Sequence, residues 1–138
     1  MQAFIDIFHA IDNASSEEEK VHILRQNKSP AMIDILRWAY HPNGEFYTTT
    51  VPTYIPDESP DGLSMSNLYS ESKRMYILAK DYPVDAKRKE EILIQILESL
   101  GSEAPIMEQI VQRKFKSLTK ETVSAAFPGL FEVVEQKV

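Results

Sequence analysis

The sequence predicts an all-α fold, a compact domain of six or seven helices with one extended loop rich in aromatics and proline. Three observations predict it. Apolar residues recur at spacings of three and four in segment after segment. Capping residues, prolines and glycines punctuate those segments where helices start and stop. A single stretch, Phe46 to Val51, is β-prone, and no second run exists to pair with it.

The elements follow in order. Phe4, Ile5, Ile7, Phe8 and Ile11 predict a helix over 2–12, broken by Asn13-Ala14. Ser16 and Glu19 form a capping box for a second helix that ends near Asn27. Glu17, Glu18 and Glu19 favour the positive end of its dipole, and Val21, Ile23 and Leu24 give its apolar stripe. Ser29 caps a third helix with Pro30 in its first turn, where a missing N–H costs nothing. Met32, Ile33, Ile35, Leu36, Trp38 and Ala39 follow, and His41-Pro42-Asn43-Gly44 stops it. Residues 45–63, with Pro52, Pro56 and Pro60, read as an extended excursion in which Phe46, Tyr47 and Tyr54, with Trp38, either pin the loop to the core, the commoner role, or form a stacking or partner surface.

Helices resume at Ser64 or Ser66 and run to about Asp81. Asp85 caps the next, Ala86 to Leu100, with Ile92, Leu93, Ile96, Leu97 and Leu100 inward and Gly101 as its stop. Another helix is expected over 102–117, with Pro105 in its first turn and Ile106, Met107, Ile110 and Val111 inward. Thr119 caps a short last helix closed by Phe127-Pro128-Gly129. One helical domain over 1–131 and a frayed tail over 132–138 are the expected organisation.

Length and composition agree with this. At 138 residues and 43% apolar content, the chain suits one domain with one core. Cysteine is absent, so disulfides, thiolate metal sites and cysteine nucleophiles are excluded. No stretch reads as a signal peptide or approaches the ~20 apolar residues of a membrane span, so a soluble intracellular protein without membrane partners is expected. The net charge is −6 and unevenly placed. Residues 1–61 hold 10 acids against 4 bases, whereas residues 62–138 hold 11 of each. An acidic body is a poor non-specific polyanion binder, so any such activity must sit on a local basic cluster.

Four segments carry a family resemblance: "EEEKVHILRQN", "FYTTTVP", "RKEEILIQILESL" and "IVQRKFKSLTKETVSAAFPGLF". In order and spacing they resemble the all-α N-terminal DNA-binding domain of ATP-dependent DNA ligases, the T-even bacteriophage type above all. The resemblance implies a phage protein in the host cytoplasm that contacts the duplex backbone through its closing segment. It does not imply ligation. The family's Lys-x-Asp-Gly motif has no counterpart, because Asp61-Gly62 is preceded by Ser59 at the lysine position, and the nucleotidyltransferase domain is expected to be missing. The family's basic residues after the aromatic pair are Thr48 and Thr49 here, and its glycine before the last helix is replaced within Lys116-Ser117-Leu118-Thr119.

The residues themselves nominate one constellation. Arg113, Lys114, Lys116, Ser117, Thr119 and Lys120 gather cations and hydroxyls at a helix end, a turn and the next helix start, a pattern suited to DNA phosphates or, alternatively, to a solvated helix end whose cations complement the carbonyl dipole. Lys87, Arg88 and Lys89 open a helix at its positive end, and Glu90 and Glu91 balance them. Asp57-x-Ser59-x-Asp61-Gly62 begins like a calcium loop but reaches Leu68 where a bidentate glutamate is required. His9, His22 and His41 share no metal-site spacing, and no nucleophile elbow or phosphate-binding glycine loop is present. No catalytic residue, metal, cofactor or small-molecule substrate is therefore expected. The expected function is a non-catalytic module that binds duplex DNA or a replication or repair protein. The competing expectation is an acidic protein-interaction or viral structural protein that kept the fold without binding DNA.

Overall fold

The computed structural model describes residues 3–42, 44–60 and 64–131. Among them are seven α-helices: α1 (Phe4–Asp12), α2 (Glu17–Gln26), α3 (Pro30–Tyr40), α4 (Leu68–Glu71), α5 (Ala86–Ser99), α6 (Ala104–Gln112) and α7 (Lys120–Ala126). Short 3-10 segments follow α4 (Ser72–Leu78) and precede α6 (Gly101–Glu103). The fold is all-α, as the periodicity predicts. Pairing between extended segments among the described residues is an isolated antiparallel bridge between Phe46 and Ala79.

The helix starts obey their local chemistry. Ser16, Ser29, Asp85 and Thr119 each accept a backbone N–H three residues on, from Glu19, Met32, Arg88 and Thr122. The box at α2 is shifted by one residue, since Glu19 reaches the N–H and hydroxyl of Ser15 at 2.9 and 2.7 Å. Gly101 adopts φ +60°, and a Cβ there would come within 2.7 Å of the Ser64 Cβ. Only glycine fits that stop without strain.

Two boundaries depart from the sequence expectation. The helix expected from Ser64 or Ser66 to Asp81 is one α-turn, α4, continued as a tighter 3-10 segment. The Ser72 hydroxyl donates to the Tyr69 carbonyl there, a competition with backbone bonding that disfavours a regular α-helix. The helix expected over 102–117 starts at Ala104 and ends at Gln112, because Arg113 turns into the left-handed region at φ 58°. Lys114, Lys116 and Ser117 consequently lie on a loop. Asn43, Asp61-Gly62 and the tail over 132–138 fall outside the described residues.

One apolar core runs through all seven helices. Phe4, Ile7 and Ile11 of α1, Met32, Ile35 and Leu36 of α3, and Ile96, Leu97, Ile110 and Val111 of α5 and α6 are completely or almost completely buried. In α2 only Leu24 is fully buried, with Val21 and Ile23 at the margin. Trp38 stacks on Phe46 at 5.0 Å between ring centroids, which anchors the start of the long loop. Further along, the loop crosses α5 and α6: the Ile55 N–H donates to Glu98 and the Tyr54 hydroxyl donates to Glu108. Burial, and then that bond to Glu108, push the Tyr54 pKa well above its ordinary value.

Candidate nucleic-acid interface

The 113–120 segment owes its shape to what it buries. Phe115 and Leu118 are buried, alternating with exposed Lys114 and Lys116. Phe115 packs against Phe8 and meets Tyr40 edge-on. The Tyr40 hydroxyl then ties the loop at both ends, accepting from the Phe115 N–H at 3.1 Å and donating to the Leu118 carbonyl at 2.8 Å. Burial raises the Tyr40 pKa, so this hydroxyl keeps its proton at neutral pH. The Lys116 N–H donates to the Gln109 side chain at 2.8 Å. The loop is thus pinned from α3, α1 and α6 together.

The six residues nominated from sequence divide into two groups. Arg113 is half-buried, and its guanidinium donates to the carbonyls of Ala39 and His41 at the end of α3. It also lies 4.0 Å from Glu45. Thr119 caps α7, and its hydroxyl contacts that of Thr122, which donates in turn to Glu17 of α2. That bond, with Lys20 beside it, holds the Glu17 carboxyl below its ordinary range. An ionised acid from α2 therefore sits beside the first turn of α7. Ser117 is half-buried within the loop. The second group is different. Lys114, Lys116 and Lys120 are exposed and make no ion pair with any described carboxylate. Lys120 lies 5.6 Å over the Phe131 ring, a cation–π contact that leaves its charge available.

Sequence reasoning missed two neighbouring basic residues. Lys28 and Arg37 line a cleft of about 430 Å³ whose other wall is the Phe127–Leu130 turn after α7. Both are exposed and free of ion pairs among the described residues. Phe131 follows that turn and meets His41 at 6.4 Å, so ring contacts connect the Arg37 end of α3 to Lys120. The signal lay in isolated charges 28 and 37, which only the fold brings beside the closing segment.

Two of the three bases that open α5 are engaged within the fold. Arg88 pairs with Glu91 at 3.1 Å, and buried Lys89 donates to the Ala79 carbonyl at 2.7 Å. Among the described residues no group of three potential metal ligands converges, and no helix is long and apolar enough to cross a membrane. The sequence profile of DUF6433, a family of unknown function, matches residues 7–118, and the chain belongs to that family. No curated protein and no solved structure matches it.

Proposed function

We propose that this DUF6433 member is a non-catalytic phage accessory protein that binds duplex DNA through Lys114, Lys116 and Lys120, acting in the host cytoplasm beside the replication or repair machinery. The observation that carries the reading is the pinned loop and the start of α7, which together present three exposed lysines lacking carboxylate partners among the described residues. Free ammonium groups on a pinned backbone release counterions from phosphates with little ordering cost. Arg113 is a positioning residue in this reading, since its donors are engaged by α3 carbonyls. The resemblance to ligase DNA-binding domains supports the same surface.

The test is fluorescence anisotropy with a labelled duplex at two salt concentrations. Three phosphate contacts predict a ~40-fold loss of affinity between about 50 and about 200 mM salt. The triple variant K114E/K116E/K120E should lose binding at both. Unchanged binding by that variant would refute the reading. A second reading is favoured by the acidic α1–α2 edge, where Asp12, Glu17, Glu18 and Glu19 are exposed. On that reading the chain is a protein-interaction module, and no duplex binding appears even at low salt.

A further inference from the structure

A pocket of about 320 Å³ lies along the outer face of α3, lined by Asp34, Arg37, Trp38, His41 and Gly44. The first four stand at i, i+3, i+4 and i+7, which puts them on one stripe of the helix. The core stripe of Met32, Ile35, Leu36 and Ala39 is separate from it. The size is at the lower end for small-ligand sites, where a few polar groups converge on a flat apolar wall.

Three features of the lining go beyond an ordinary solvated face. Asp34 is half-buried, yet its carboxylate accepts no hydrogen bond and makes no ion pair among the described residues. Burial raises its pKa, only partly offset by Arg37, and its carboxylate faces the pocket without a protein donor among the described residues. Trp38 brings an aromatic wall held in place by its stacking on Phe46. Arg37 lines both this pocket and the adjoining cleft with Lys28, so cationic charge continues out of the pocket in one direction. Gly44 lets the chain pass close to α3 at the pocket's edge: a Cβ there would stand 3.0 Å from the Arg37 carbonyl.

We propose that this pocket binds a guanine base carrying a phosphate, with the base against Trp38, its Watson–Crick edge on Asp34 and its phosphate toward Arg37 and Lys28. A carboxylate is an acceptor only. Guanine is the base whose Watson–Crick edge presents two adjacent donors, the ring N–H and the exocyclic amine. Adenine and cytosine set a ring acceptor beside their amine, which an ionised carboxylate repels. In an intact duplex that edge is occupied by pairing. The guanine must come from a free nucleotide or from an unpaired position in a strand, and the second source rests on the DNA-binding reading above.

Trp38 is the single tryptophan of the chain, so its emission reports occupancy directly. The full chain is titrated with GMP, AMP and CMP, and separately with duplexes ending in an unpaired guanine or an unpaired adenine. Saturable quenching by GMP is expected, with AMP and CMP about tenfold weaker, the scale of a bidentate base contact. D34N should erase the guanine preference, and R37Q should weaken GMP more than guanosine. No saturable GMP response up to about 1 mM, or an undiminished preference in D34N, overturns the proposal. The triple lysine variant separates the two readings. If it loses duplex binding while GMP never quenches, the pocket proposal falls and the duplex reading stands. If GMP quenches while no duplex binds, the guanine is a free nucleotide and the duplex reading falls. A preference for the guanine-ended duplex identifies the strand as the source.

Discussion

The end of α3 and the bend after α6 are built from the same kinds of residue, yet they use their charges in opposite ways. At the α3 end, the Arg113 guanidinium is drawn inward onto the Ala39 and His41 carbonyls. One to seven residues further on, Lys114, Lys116 and Lys120 point no donor at any protein carboxylate among the described residues. The inward pattern recurs elsewhere. Arg25 donates to the carbonyls of Ala125 and Ala126 at the end of α7, and Lys89 to those of Ala79 and Lys80 after the 3-10 segment. Helix ends expose unpaired carbonyls at the negative pole of the dipole, so a cation from a distant element satisfies both at once. Basic residues near one another in sequence thus serve either the fold or the surface, and helix-end geometry decides which.

Substitutions sharpen that contrast by how much stability they remove. The largest effect is expected at Glu103, the acidic counterpart of these caps. It is 5% exposed and accepts from the Leu68 N–H at 2.8 Å and the Ile5 N–H at 3.4 Å, joining the starts of α4 and α1. Glu103→Ala leaves a buried donor unpaired and should lower unfolding free energy by ~3 kcal/mol in urea titration. Its pH signature has a definite sign. Burial raises the Glu103 pKa above its ordinary value, so the folded state takes up this proton more readily than the unfolded chain. The associated stability is fully present below the ordinary glutamate pKa and is lost as pH rises through the raised one. Wild type should therefore gain on Glu103→Gln as pH falls from neutrality. Wild type losing stability relative to Glu103→Gln on acidification would contradict the assignment.

Arg113→Met should come next, at ~2 kcal/mol, because two carbonyls at the end of α3 lose their donor. Arg25→Met, at a more exposed helix end, should cost ~1 kcal/mol by the same measurement. The smallest change belongs to K114E/K116E/K120E, within ~0.5 kcal/mol of wild type in thermal melts. A large loss there would mean the three lysines support the fold, and the contrast between the two regions would collapse.

Local rules made much of this legible in advance. Ser16, Ser29, Asp85 and Thr119 were readable as caps because a cap and its N–H lie three residues apart. Gly101 was readable as a stop because its conformation belongs to the residue itself. The end of α6 was not, since Arg113 carries no sequence mark of a left-handed turn and its guanidinium partners lie 72 and 74 residues away. Arg113 was consequently grouped with its lysine neighbours on spacing alone. The 3-10 segment was hidden because Met75 and Leu78 fit the apolar pattern of an α-helix equally well. Glu103 gave no signal either, as an acid between Ser102 and Ala104 reads as solvent-facing. The Asp34–Arg37–Trp38–His41 stripe went unread, because the pocket it lines takes shape only once Gly44 folds beside α3.

The pairing of α2 with α7 has a consequence for how the chain reaches its native state. Among the described residues these helices lie against each other over more of their backbone than any other pair, and they join the chain near residue 25 to the chain near residue 125. Closing so long an interval carries an entropic toll that grows only slowly with length, so the contact costs little more than a shorter closure would. During synthesis α2 waits without its mate until residues beyond Ala126 have left the ribosome. A nascent chain arrested before that point would keep the flank of α2 open to chaperones and proteases.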